Sequence, residues 1–330
     1  MIDLDARHAR IAEPLAGALC AVEGIFEGQL ASEFPAVVDL CDHVSRYRGK
    51  MLRPTLTLLS GVAARKGDVD AFGDVDLQRL AAVVEMIHMA TLVHDDVLDE
   101  ADERRGGATV NRLQGNETAV MLGDYLISNA FHLAASIGDA DLTERLGRTT
   151  NTLCEGELIQ LHHRDDLGLD YPTYLEVIRR KTAVLVGACG RLGARLAGGT
   201  DATCEGLGEF GERLGIAFQV RDDILDLEGD VETVGKTVGR DLEKGKLTLP
   251  MILLLDGGEP AVFAEAVEAF RARDAGRLLE LLRRGDAIDR ARAFAVEEVG
   301  RAVEVVDDLD VGDVADLLRD LARAVVDRDR

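Results

Sequence analysis

Tryptophan is missing from the chain, proline occurs six times in 330 residues, and aromatic side chains make up 4%. So few helix breakers over such a length point to a helical protein and away from a turn-rich β-fold. Five cysteines (Cys20, Cys41, Cys154, Cys189 and Cys204) lie far apart, with no Cys-x-x-Cys pair. That spacing suggests neither a zinc site nor a disulfide framework, and it fits a reducing cytoplasm. No apolar run reaches the roughly 18 residues of a membrane-spanning helix, and the start does not read as a signal peptide. Basic residues are in the minority, 38 against 61 acidic ones, for a net charge of −23. Such a balance argues against nucleic acid or anionic lipid as a partner.

Lysine is scarcest among the charged residues. Only Lys50, Lys66, Lys181, Lys236, Lys244 and Lys246 occur, and every other basic side chain is arginine. Where arginine dominates, a retained lysine suits a task for a compact point charge, such as meeting phosphate oxygens. Five of the six fall in the segments singled out below.

What is present is apolar periodicity. Hydrophobic residues make up 47% of the chain, enough for a large core. Positions Leu4, Ile11, Leu15, Leu19, Val22 and Phe26 recur at three- and four-residue spacing and predict a helix over 3–30. Further helices are predicted over 35–47, 77–100, 116–136 (behind an Asn116 cap), 141–163, 171–197 and 203–228. Weaker patterns follow at 251–256, 260–272, 276–284, 287–306 and 312–327. Pro54 suits the first turn of another helix. No strand-period alternation and no low-complexity linker appears, so one all-α domain is expected over 1–330. Its motif-bearing core lies at about 49–250, with C-terminal helices over 251–330.

Two helix ends are heavily acidic. The stretch EMIHMATLVHDDVLDEADERRG (85–106) runs from an apolar face into Asp95, Asp96 and Asp99, followed by Arg104 and Arg105. Spacings of one and four put the carboxylates on one helical face. QVRDDILDLEGD (219–230) repeats the pattern with Asp222, Asp223 and Asp226. One such cluster is commonly a solvated helix end; two, each accompanied by Lys/Arg segments, call for cations among them. Oxygen-only ligands favour Mg²⁺, which keeps phosphate in its coordination shell. Two ends facing each other across a cavity would make a multi-Mg²⁺ diphosphate site, and EF-hand spacing is absent. Gly-containing RGKMLRP (48–54) sets Lys50 and Arg53 three apart, either an anion site or a solvated basic turn. Lys181 and Thr182 interrupt an apolar, small-residue stretch, where a lysine needs an anion nearby. The Gly-rich segment 230–250, carrying Lys236, Lys244 and Lys246, reads as a lid bringing positive charge over a phosphate.

Taken together, GKMLRP (49–54), EMIHMATLVHDDVLDEADERRG (85–106), GDYL (123–126), CEGE (154–157), KTA (181–183), QVRDDILD (219–226) and GKTVGRDLEKGKLTLP (235–250) resemble the trans-isoprenyl (polyprenyl) diphosphate synthases, in family order. The resemblance implies an isoprenoid-synthase helical bundle around a deep central cavity, usually a homodimer. It implies that Asp95, Asp96, Asp99, Asp222, Asp223 and Asp226 hold Mg²⁺, three ions with diphosphate bound. Arg104, Lys181, Thr182, Gln219, Lys236 and Lys246 would contact the allylic diphosphate, with Lys181 and Lys236 counted among the catalytic groups. Lys50, Arg53, His88 and Arg105 would hold isopentenyl diphosphate. Ionisation of the allylic C–O bond, attack by the isopentenyl double bond and loss of a proton to departing pyrophosphate would follow. The family often has Gly-Gly-Lys-Arg where this chain has Arg48–Gly49–Lys50–Met51.

Product length would be set along the track below Asp95. Ala90 and Thr91 are small, leaving Ile87 and Val84, or Tyr125 and Phe131 on the neighbouring helix, as the next candidate floor, so a medium- or long-chain product beyond C15 is expected. Alternatives are a geranylgeranyl or farnesyl diphosphate synthase, a terpene cyclase, a head-to-head synthase and a non-catalytic partner subunit. The intact second Asp motif and the following lysines favour elongation.

Overall fold

The computed structural model describes residues 8–47, 49–228, 239–257 and 259–327. The chain divides into two compact units, each of several segments. Unit 1 comprises Met1–Thr150, Ala188–Gly208 and Leu309–Leu317; unit 2 comprises Asn151–Gly187, Glu209–Asp308 and Leu318–Arg330.

Unit 1 is built on α4 (Val75–Leu98), which packs against α1 (Ala9–Gln29), α3 (Leu52–Ala64) and α6 (Asn116–Ser136). Asp74 starts α4 by accepting the N–H groups of Asp76 and Leu77 at 3.1 and 3.4 Å. From Leu80 to Ile87 every residue of α4 is buried. A helix apolar on all sides is stable only when surrounded. Full burial of residues such as Met86 and Ile87 contributes on the order of 2 kcal/mol each. Of the expected α1 stripe, Ile11, Leu15, Val22 and Phe26 are buried and Leu19 is partly exposed, while Leu4 lies outside the described residues.

Unit 2 gathers its core around Tyr174, Val220, Ile224, Leu242, Leu249 and Ile252. They come from α8 (Tyr171–Ile178), α10 (Asp201–Glu228), α11 (Arg240–Glu243) and α12 (Leu249–Gly257). α13 (Pro260–Arg271), α14 (Ala275–Arg284) and α15 (Ala287–Asp307) add Ala266, Phe270, Leu278, Leu282 and Ala291. α7 (Ala140–His162), α9 (Val184–Leu196) and α16 (Val314–Val326) complete the longer helices.

Three local features depart from the periodicity. The helix expected over 171–197 is interrupted by a π turn at Arg179–Ala183. Asn116 is the first residue of α6 and not its cap; Gly115, at φ 85°, joins α5 (Val110–Gln114) directly to α6 and takes the cap position. A minimal antiparallel hairpin pairs Glu103 with Ala108 and Arg104 with Gly107, in a chain with no strand expectation.

Candidate active site

The first carboxylate cluster sits at the C-terminal end of α4, in unit 1. Asp95 and Asp96 lie in its last turn and Asp99 follows as the cap residue. That end carries the negative pole of the helix dipole, about half a charge, and its last turn has no basic residue to offset it. The three carboxylates therefore stand where intrahelical electrostatics disfavours them. Asp96 is buried, and its Oδ1 accepts from Arg104 Nε and Nη2, both at 2.8 Å. Its Oδ2 is buried with no hydrogen-bond partner. Burial pushes the Asp96 carboxyl up, Arg104 pulls it down, and Asp95 and Asp99 push it up again.

The hairpin explains why the arginine pair splits. Arg105 and Gly106 fill the two turn positions with φ of 52° and 75°, the left-handed pair of a tight hairpin turn. Arg104, on the strand, turns back to Asp96. Arg105, in the turn, lies over Gly49: a Cβ there would meet its Nη1 at 2.7 Å and its Cζ at 3.0 Å. Glycine at 49 thus lets the guanidinium rest against the loop that carries Lys50. His88, two turns below Asp95, faces the same group. Burial first, then the charges of Arg53, Arg104 and Arg105, hold its imidazole well below the usual value, so it is neutral at pH 7. Unit 1 therefore brings His88, Arg53, Arg104 and Arg105 into one electrostatic neighbourhood, with Lys50 exposed beside it. Such a concentration of positive charge suits an anion. Of the proposed track residues, Ile87 and Ala90 are completely buried. Thr91 keeps partial exposure and donates its hydroxyl to His88 O at 2.7 Å.

The second cluster closes α10, in unit 2, again with no basic residue in the last turn. Asp223 Oδ1 accepts from Gln219 Nε2 at 3.0 Å and Oδ2 from the Tyr174 hydroxyl at 2.5 Å. Gln219 Oε1 in turn accepts from Thr182 Oγ1 at 2.9 Å, so Thr182, Gln219 and Asp223 form one chain of hydrogen bonds. Asp226 accepts the backbone N–H groups of Arg240 at 3.3 Å and Asp241 at 3.2 Å. Burial, then the nearby Asp241, push the Asp223 carboxyl up to about 8 and that of Asp226 up to about 6.

The π turn places Lys181. Its Nζ donates to Gln160 Oε1 at 2.8 Å and pairs with Glu157, both on α7. The anion that a lysine in this apolar stretch requires is thus Glu157, inside the CEGE segment. α7 comes so close here that a Cβ at Gly156 would meet Lys181 N at 2.6 Å, which only glycine avoids. Lys246 is described, with its backbone N–H on Asp241 O at 2.9 Å; Lys236 and the rest of 230–238, the first part of the expected lid, lie outside the described residues.

The periodicity pointed to none of Tyr174, Glu157 and Asp241. Tyr174 sits in an apolar helix and reads as core. Glu157 and Asp241 are single acids in an acidic chain; the CEGE and 235–250 segments contain them, but their roles show only through their partners in space.

Among the described residues, no three His, Cys, Asp or Glu side chains already converge on one point. The donors nevertheless fit a hard divalent cation. They are all carboxylate oxygens, they crowd two dipole-negative helix ends, and one of them, Asp96 Oδ2, is buried without a partner.

Comparison with known proteins agrees with this chemistry. A family model described as Polyprenyl synthetase matches residues 35–282. Heptaprenyl diphosphate synthase component 2 of Geobacillus stearothermophilus is 37% identical over 317 residues, 94% of this chain and 96% of that protein. Two crystal structures resemble the fold. One is a decaprenyl diphosphate synthase from Rhodobacter capsulatus, with a TM-score of 0.89 and 34% identity over 98% of this chain and 99% of that one. The other is a polyprenyl synthase from Caulobacter crescentus CB15 complexed with calcium and isoprenyl diphosphate, with a TM-score of 0.88 and 34% identity over 98% of both chains. A family model covering most of the chain, and a relative aligned along nearly its whole length, show that this chain belongs to the polyprenyl synthetase family of prenyltransferases.

Proposed function

We propose that the chain condenses isopentenyl diphosphate head-to-tail with an allylic diphosphate, to give a polyprenyl diphosphate longer than C15. The observation that carries this reading is the division of the arginine pair. Arg104 hydrogen-bonds Asp96 while Arg105 rests against Gly49 beside Lys50, so the positive neighbourhood around neutral His88 is anchored at two points, one at the carboxylates and one at the Gly49–Lys50 loop, which suits two diphosphates.

In this reading Asp95, Asp96 and Asp99, with Asp222, Asp223 and Asp226, hold Mg²⁺, three ions when diphosphate is bound. When bound, Mg²⁺ supplies Lewis-acid withdrawal of charge from the allylic diphosphate as its C–O bond breaks. Arg104, Lys181, Thr182, Gln219, Lys236 and Lys246 orient that diphosphate and stabilise the negative charge that grows on it. Lys50, Arg53, His88 and Arg105 fix isopentenyl diphosphate by its own phosphates, leaving its double bond free to attack. No side chain is asked to act as general base, because the departing pyrophosphate takes the proton. The family model runs through both units, which supports a single polyprenyl synthase domain over 1–330. The five cysteines are all free thiols, which suits the cytoplasm, and no described helix is long and apolar enough to cross a membrane.

The test is incubation with isopentenyl diphosphate, Mg²⁺ and C5, C10, C15 or C20 allylic primers, with products sized by mass. Elongation that requires Mg²⁺ and passes C15 is expected; no Mg²⁺-dependent elongation from any primer would end the reading. The names of the relatives, heptaprenyl and decaprenyl synthases among them, support a medium or long product.

Thr91 is the better position at which to test the floor. Phenylalanine at the fully buried Ala90 would overpack the core, at a cost of about 1–3 kcal/mol. Thr91→Phe projects from a partly exposed site and should move the product distribution to shorter chains. An unchanged distribution at normal turnover would place the floor elsewhere. The homodimer, the family's usual assembly, predicts twice the 35.6 kDa chain mass in sedimentation equilibrium.

A further inference from the structure

One buried hydroxyl, that of Tyr174, has no part in the proposed reaction. Tyr174 lies in the first turn of α8, its backbone N–H bonded to Asp170 O at 3.0 Å. Its ring is buried in the unit 2 core. A phenol taken that far from water needs both its donor and its acceptor satisfied. Both are. The hydroxyl donates to Asp223 Oδ2 at 2.5 Å and receives the backbone N–H of Leu249. Leu249 opens α12, three residues after Lys246. Asp223 is itself tied through Gln219 to Thr182 in the π turn. One oxygen atom therefore joins three segments: the helix that leads into Lys181–Thr182, the acidic end of α10, and the residue that ends the Lys244–Lys246 stretch.

We propose that Tyr174 is a positioning residue: its hydroxyl fixes the Asp223 carboxylate in one orientation and pins the base of the Lys246 segment to it. The inference rests on the reading of Asp223 as part of the Mg²⁺–diphosphate site. In this reading Tyr174 acts through Asp223 and not on substrate or metal directly. It removes a degree of freedom from a side chain that does. With both carboxylate oxygens already directed, by Tyr174 on one side and Gln219 on the other, the remaining lone pairs point in set directions. A ligand held in place before binding loses less freedom when the ion arrives. Without the hydroxyl, Asp223 keeps one hydrogen bond and can rotate about its side chain. The Leu249 N–H at the same time loses its acceptor.

The test is Tyr174→Phe, which keeps the ring and removes one oxygen. Two measurements are made on the full chain. Calorimetric titration with Mg²⁺ in the presence of inorganic pyrophosphate should show binding weakened at least fivefold. Steady-state elongation should show a raised Mg²⁺ half-saturation and a kcat lower by roughly tenfold, with the KM for isopentenyl diphosphate unchanged. A merely structural tyrosine would lower the melting temperature and leave the titration of the folded protein alone. In an Asp223→Asn background, Tyr174→Phe should have no further effect on the titration. Unchanged Mg²⁺–pyrophosphate binding in Tyr174→Phe, or an equal loss with and without Asp223, overturns the proposal. If Tyr174→Phe does not fold, Tyr174→Met fills the same space without a hydroxyl and is read the same way. Failure of the parent chain to bind Mg²⁺ and pyrophosphate or to elongate any primer defeats the underlying reading instead, so the two failures are told apart.

Discussion

Asp95→Ala should lower turnover by on the order of 10³-fold while leaving the melting temperature of the metal-free protein unchanged or slightly raised; 10³ is the scale for losing one preorganised group that stabilises transition-state charge. The two halves of this expectation have one cause. Asp95 occupies the last turn of α4, where the helix dipole is negative and two more carboxylates, Asp96 and Asp99, stand close by. Asp95 is also one of the charges that push the Asp96 carboxyl up. Removing it relieves like-charge repulsion on the order of 0.3–1 kcal/mol, and takes away an oxygen proposed to hold the bound cation. Asp96→Ala should behave differently. Arg104 makes both of its 2.8 Å contacts to Asp96 Oδ1, and its side chain is only 26% exposed. Losing that partner should destabilise the fold by about 2 kcal/mol, in addition to abolishing activity. Thermal melts and initial rates on the two variants distinguish the roles. If Asp95→Ala unfolds as readily as Asp96→Ala, or keeps its turnover, the assignment of an added fold-bearing role to Asp96 alone is wrong.

That assignment could not be read from the string DDVLD, in which the first two aspartates are chemically identical. Which of them is buried depends on the helix phase, and which meets an arginine depends on a hairpin of two-residue strands. The hairpin is too short to show alternation and is set by the left-handed backbone at Arg105 and Gly106. The long helices were legible because their apolar residues repeat at the helical period. The π turn was not. It inserts one residue into the hydrogen-bond ladder and leaves the apolar pattern of 171–197 almost unchanged, so Lys181 and Thr182 read as interruptions of a plain helix. Tyr174 was hidden for the opposite reason: nothing about it breaks the pattern of a core aromatic, and only its 2.5 Å bond to Asp223 sets it apart. The six aspartates stood out because charge at the end of an apolar helix is costly. Of the residues that organise them, Arg104, Thr182 and Gln219 came with the resemblance, whereas Tyr174 fitted its surroundings and gave no such signal.

The same electrostatics makes the metal-free protein less stable as pH rises through neutrality. Burial and the neighbouring Asp241 push Asp223 up to about 8, against an ordinary aspartate value of 3.8. Asp226 is pushed to about 6 for the same reasons. A carboxyl raised on folding binds its proton more tightly in the folded chain than in the unfolded one. Between its unfolded and folded values the folded state therefore holds more protons, and stability falls as pH increases. This stabilisation is fully present below about pH 4 and is lost as pH passes through 6 for Asp226 and 8 for Asp223. His88 works the other way, since its value is lowered on folding and its contribution grows as pH rises through the ordinary histidine range. Above about pH 6.5 the His88 contribution is nearly complete, and Asp223 dominates. From pH 6.5 to 8, one proton released against folding costs about 2 kcal/mol, so the melting temperature in EDTA should drop by roughly 4 °C. Mg²⁺ with pyrophosphate should flatten the profile, because a bound cation favours the ionised form and removes the reason for the raised value. Asp223→Asn should flatten it without metal and leave the lower-pH part to Asp226. A metal-free melting temperature that is level or rising between pH 6.5 and 8 would show that Asp223 is already ionised in the folded chain. In that case the need for a cation at the end of α10 would have to rest on the crowding of Asp222, Asp223 and Asp226 alone.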